Sequence, residues 1–171
     1  MKRGYMKLKA DAKKRLMFIQ AEDYNYLCYN LLIILDYYKC YSEDKPFKDF
    51  RKIAYLVDFI SNNKKISLYD ANDLTEVYSH AQLKKKLISH LLIILKNMGF
   101  VEISINTTHR TFNVWLNQSK ELNSFIKNEM FFDEYERVEL LNKQVPSIRT
   151  ATIKTMVEKI FSNKGVITWE I

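Results

Sequence analysis

The sequence predicts a mainly α chain with one small β-hairpin. Three observations carry that expectation. The 171 residues include only 3 Gly and 2 Pro, so few tight turns are available. Apolar residues recur at helical spacing through most of the length. After Gly99 the pattern switches to strict alternation, first over Val101 to Ile105 and then over Arg110 to Leu116.

The first helix is expected from about Asp23, a suitable N-cap, to Tyr41. Tyr24, Leu27, Leu31, Ile34 and Tyr38 form one stripe. Leu32, Ile33 and Leu35 widen it almost all round, which marks a central, buried helix. Ser42 to Pro46 is a linker. A second helix follows from about Phe47 to Ser61, with Phe50, Ile53, Ala54, Val57 and Ile60 inward and Arg51, Lys52 and Asp58 off the stripe. Beyond a turn at Asn62, a short helix is expected over Asp70 to Val77. A third strong helix is expected over His80 to Met98, where Leu83, Leu87, Leu91, Ile94 and Met98 repeat. Gly99 stands where a left-handed C-cap is wanted. The hairpin comes next. Helix, helix, helix, hairpin is the order of a winged helix-turn-helix domain.

Ser119 opens further helix, with Leu122, Phe125 and Ile126 inward. Asp133 and Glu136 have capping-box spacing and suggest a new start. Pro146 ends that segment. Ser147 is expected to cap a last helix carrying Ile153, Met156, Val157 and Ile160, closed by Gly165. Val166 to Ile171 alternates and predicts a terminal strand, with Ile167, Trp169 and Ile171 on one face. The organisation expected is a basic N-terminal arm over 1–21, a winged-helix core over 22–118, and a C-terminal helical extension over 119–171 ending in that strand.

The stretch LLIIL occurs at Leu31–Leu35 and again at Leu91–Leu95. The flanks share no other pattern, so these are two core helices and not a repeat. A membrane-spanning helix needs about 20 apolar residues. Asn30 and Asp36 bound the first run, and His90 and Lys96 the second, so no membrane partner is expected.

Charge is unevenly placed. The formal total is +7; residues 1–20 hold seven basic residues and one acid, leaving +1 for the rest. Such an arm suits nucleic-acid phosphates or an acidic protein surface, or is a solvated terminus. Cys28 and Cys40, on one helix, would lie about 18 Å apart, too far for a disulfide. Two reduced thiols and the absence of a secretory leader predict a cytoplasmic chain.

Catalytic signatures are missing from the sequence. None of His80, His90 and His109 has an i,i+4 partner of the zinc-binding kind. There is no phosphate-binding loop, nucleophile elbow or dinucleotide fingerprint. The expectation is a non-enzyme with no cofactor. Nucleic-acid contact has three candidate patches. One is Gln82, Lys84, Lys85 and Lys86 at the start of the predicted third helix, the recognition element of a winged helix. Another is the hairpin tip, with His109 and Arg110. The third is the arm, with Lys7, Lys9, Lys13, Lys14 and Arg15. Lysine-rich patches suit phosphates more than base edges. Protein contact is suggested by the aromatic residues Phe131, Phe132 and Tyr135, and by Ile167, Trp169 and Ile171 of the unpartnered terminal strand.

Four stretches, AEDYNYLCYNLLIILDYY, FRKIAYLVDFI, LISHLLIILKNMGFVEI and RTFNVWL, in that order, carry a resemblance. Over roughly residues 22–171 the chain resembles the middle component of ABC three-component systems, which includes the small subunit of Lamassu-type bacterial defence. The resemblance implies a small winged-helix protein that joins an SMC-like coiled-coil ATPase to an effector, often a nuclease. It implies no catalytic residues and a complex that responds to phage or plasmid DNA. The basic arm departs from that pattern. A free-standing winged-helix transcription regulator is the alternative, and a toxin-system or phage replication-initiator fragment a third.

Overall fold

The structure is a computed structural model and describes residues 24–62 and 64–169. Helix α1 covers 24–37, and Leu31, Ile33, Ile34 and Leu35 within it are completely buried. Each such side chain contributes about 1.5–3 kcal/mol through burial. Helix α2 (Arg51–Ser61) is the centre of the molecule: nine of its 11 residues are buried, and it packs on α3, α5 and α6. Lys52 and Asp58, expected off the inner stripe, are both buried. Their partners come from segments far along the chain, as described below.

Helix α3 (Ala71–Asn97) is one continuous element of 27 residues, not the two helices expected. Leu74, Val77, Tyr78 and Ala81 continue at helical spacing into Ile88, Leu91, Leu92 and Leu95, and all are buried. One stripe runs through Ser79 without a break. Asp70 caps the helix: its Oδ1 accepts from the Asp73 amide at 2.8 Å, and Asp73 Oδ2 accepts from the Asp70 amide at 3.3 Å. At the other end Gly99 has φ +78°. The Phe100 amide donates to the Leu95 carbonyl and the Gly99 amide to that of Lys96, both at 2.9 Å. This pair is a Schellman closure.

Strands β1 (Val101–Asn106) and β2 (Thr111–Leu116) pair antiparallel, with Val101 opposite Leu116 and Ile103 opposite Val114. Phe47, between α1 and α2, forms an isolated bridge with Val114. Its amide donates to the Val114 carbonyl at 2.8 Å, and the Val114 amide returns a bond at 3.1 Å. The hairpin is thereby fixed against the α1–α2 connection.

Three helices follow: α4 (Lys120–Ile126), α5 (Phe132–Gln144) and α6 (Ile153–Ile160). Ser119 caps α4 as expected, accepting from the Leu122 amide at 3.1 Å. Asp133 does not cap α5. The short 3-10 turn Glu129–Phe131 runs directly into the helix and places Asp133 in its first turn. Ser147 does not cap α6. It sits at φ +69° in a turn, its carbonyl accepting from the Thr150 and Ala151 amides. Thr152 is the cap, its Oγ1 accepting from the Thr155 amide at 3.1 Å.

The terminal strand is not formed over Val166–Trp169, which has neither helix nor strand structure. Alternation alone makes no strand without a neighbour, and this segment finds side chains instead. The Trp169 amide donates to Tyr78 Oη at 3.0 Å, and the Trp169 ring stands edge-on to that of Tyr78. Ile171 lies outside the described residues.

Phe161, Lys52, Asp36 and Arg137 are among the side chains that join the C-terminal helices to the rest. Phe161 packs its ring at 5.4 Å from Tyr55, 5.4 Å from Tyr78 and 6.1 Å from Phe59. The Lys52 ammonium donates to the carbonyls of Ile148, Arg149 and Ala151 at 2.5, 3.2 and 2.7 Å. Asp36 accepts from the hydroxyls of Tyr41 and Tyr135, each at 2.6 Å. Arg137 donates to the Ile60 carbonyl at 2.9 Å.

Candidate functional site

The lysine patch on α3 lies in the middle of the helix, and most of it is engaged within the fold. Lys84 pairs with Asp58, whose carboxylate is almost fully buried. Gln82 donates to Tyr55 Oη at 2.9 Å and to the Tyr78 carbonyl at 3.2 Å. Lys85 donates to Gln82 Oε1 at 2.9 Å and lies over the Tyr55 ring at 4.9 Å. Lys86 is the exposed member. The N-terminal third of α3, the part a recognition helix would insert, carries Asp73 and Glu76 behind the Asp70 cap. Asp73 pairs with Lys64, which holds its carboxyl below the usual range. From Ala71 to Ser79 the helix carries two acids and no lysine or arginine to meet a phosphate.

The proposed partner residues divide. Phe131 is buried in the core, 5.5 Å from the Tyr29 ring and 5.0 Å from that of Phe125. Tyr135 is held by Asp36, and burial with that carboxylate pushes its hydroxyl pKa well up. Phe132, Ile167 and Trp169 are exposed. Lys7, Lys9, Lys13, Lys14 and Arg15 lie outside the described residues.

Two surface features emerge only when the elements are assembled. The first is an apolar groove of about 610 Å³ between α1, the C-terminal half of α3 and α4. Leu32, Leu91, Leu95 and Leu122 floor it, while Ile94, Met98 and Phe125 stand largely exposed along it. Asn25 and Glu121 are the most polar residues of its wall. Its sequence signal was the Leu83, Leu87, Leu91, Ile94, Met98 repeat. That stripe lies beside the buried one, so α3 is apolar over more of its circumference than its core contacts need. Leu83, Ile94 and Met98 face outward.

The second is a cleft of about 410 Å³ between the hairpin tip and the start of α6. His109 and Arg110 reach it from the tip, Arg51 from α2 and Lys154 from α6. Arg51 and Lys154 were not singled out by the sequence, because a basic residue on an amphipathic helix looks like any solvated one.

The cysteine thiols are free, and burial raises the pKa of both, that of Cys40 to about 12. Among the described residues no cluster of three or more His, Cys, Asp or Glu is arranged to hold a metal ion. No described helix is long and apolar enough to cross a membrane. No protein-family profile, curated protein or solved structure matches the chain.

Proposed function

We propose that the chain is a non-enzymatic accessory subunit of an SMC-like ATPase complex in cytoplasmic defence against phage or plasmid DNA. It scaffolds the coiled-coil ATPase and a nuclease-type effector, and touches DNA through backbone phosphates. Its helices α1–α3 and the hairpin are a winged-helix core. The Phe47–Val114 bridge supports that reading by holding the hairpin against the helices.

The observation that carries the scaffold role is the apolar groove. Exposed contiguous apolar surface on a small chain marks an interaction site. An amphipathic helix laid into such a groove buries its apolar face in one step, and an SMC-like ATPase is rich in long helices. In this reading Ile94, Met98 and Phe125, which stand along the groove, are its anchors.

The alternative, a free-standing regulator that reads an operator, draws on the same hairpin. The acidic start of α3 and the internal engagement of Gln82, Lys84 and Lys85 weigh against base readout by that helix. Purification of the tagged protein from its native operon, with mass spectrometry of what accompanies it, separates the two. A stoichiometric coiled-coil ATPase is the expected result. Recovery of the chain alone as a homodimer with sequence-selective DNA affinity would overturn the scaffold reading.

A further inference from the structure

We propose that the cleft between the hairpin tip and α6 is a binding site for the phosphate backbone of duplex nucleic acid. The inference deepens the DNA-contact part of the proposed function and rests on that part; partner docking does not enter it.

The cleft gathers basic side chains from three places in the sequence. Arg51 comes from α2, His109 and Arg110 from the tip, and Lys154 from the first turn of α6, and among the described residues no carboxylate lines the cleft. Arg51 is fixed at the wall by Asp49, its Nε and Nη2 donating to the two carboxylate oxygens at 2.8 and 2.7 Å. Asp49 is buried beneath it and also accepts from Thr111 at 3.1 Å, so the Arg51–Asp49 pair is a neutral, fixed part of the wall and the net positive charge of the opening comes from Arg110 and Lys154. Arg110 and Lys154 are exposed, and neither takes part in an ion pair among the described residues. Arg110 is held at φ +49°, and the His109 amide donates to Asn106 Oδ1 at 3.1 Å, so the tip has a defined turn. Thr108 and Thr152 also line the opening.

The chemistry fits phosphates better than bases. Among the described residues of the lining there is no Asn or Gln to pair with an adenine edge, and the Arg51 fork that could grip a guanine edge is already taken by Asp49. Two unpaired cations from separate elements instead make a positive mouth that tracks a backbone without reading sequence. DNA contact is thereby moved from α3, whose first turns are acidic and whose Lys84 and Lys85 are engaged within the fold, to the hairpin and the C-terminal helices together.

The test is fluorescence anisotropy of the full chain with a short labelled duplex of arbitrary sequence, titrated with salt between about 50 and 200 mM. The double variant Arg110→Glu/Lys154→Glu should bind about tenfold or more weakly, and its dependence of log K on log salt should be shallower by about two. The variant Lys120→Glu/Lys127→Glu makes the same charge change at the two ends of α4, where both lysines are exposed, and should bind like the wild type. Circular dichroism melting of each variant checks that it folds. Equal weakening in both variants would overturn the site, since only net charge would then matter. Unchanged binding by the cleft variant would overturn it too. Failure of the wild type to bind any duplex would remove DNA contact altogether, while the scaffold reading would stand or fall on the purification described above.

Discussion

Replacing Phe161 with alanine should lower stability by about 3–5 kcal/mol, the cost of emptying a buried aromatic site. Phe161 is completely buried and meets three rings: Tyr55 and Phe59 of α2 and Tyr78 of α3. Aromatic pairs add about 0.5–1.5 kcal/mol beyond area burial. The residue follows α6 directly, so its loss loosens the C-terminal helices from α2 and α3 together. Urea unfolding followed by tryptophan fluorescence and by helical circular dichroism should show a lower midpoint and coincident curves. The fluorescence reports Trp115 in the hairpin and Trp169 beside Tyr78. Separate transitions would mean that the C-terminal helices fold on their own.

The second large effect depends on pH. Burial lowers the Lys52 ammonium from its ordinary 10.5 to about 7, opposed mainly by the nearby Asp49 carboxylate. Lys48 and Arg149 also face it and lower it further. Cys40 faces it as well, but its thiol stays neutral far above pH 7. Below about 7 the lysine is protonated whether the chain is folded or not. Between about 7 and 10.5 the unfolded chain holds a proton that the folded chain has lost. Stability from this group therefore rises with pH across that window, by up to about 1.4 kcal/mol per unit.

Lys52→Met keeps most of the volume and abolishes the titration. It also takes the lysine donor from the Ile148 and Ala151 carbonyls, at about 1–3 kcal/mol each. Relief from desolvating the ammonium offsets part of that loss near pH 7. The variant should be less stable than the wild type, and the gap should widen by about 2–3 kcal/mol from pH 7 to pH 9. Denaturant titrations at the two pH values measure it. A gap that does not change would mean that Lys52 keeps its proton throughout.

The local elements were largely legible because they follow periodicity. Leu27, Leu31 and Ile34 of the α1 stripe, the two hairpin strands and the Gly99 closure stand where the residues put them, although α1 ends at residue 37, short of the expected Tyr41. Periodicity identifies a helix but does not choose its inner face when two apolar stripes adjoin. On α3 the buried row is Ile88, Leu91, Leu92 and Leu95, while Leu83, Ile94 and Met98 form part of the surface. The break expected near Ser79 failed for a related reason: the acidic first turns masked a stripe that continues beneath them. Lys52 shows the limit most clearly. Its partners lie 96 to 99 residues away, so no local pattern could place it inside. Both candidate sites have the same origin. The groove needs α1, α3 and α4 assembled, and the cleft needs the hairpin beside α6.

The central claim is that a coiled-coil ATPase covers the apolar groove. The measurement that tests it most directly repeats the native-operon purification with Ile94→Lys/Met98→Lys in place of the wild type. Both side chains are largely exposed, so the fold should lose little. The account predicts that the ATPase copurifies with the wild type and is lost from the variant, with the variant's melting temperature unchanged. Retention of the ATPase by a folded variant would contradict it.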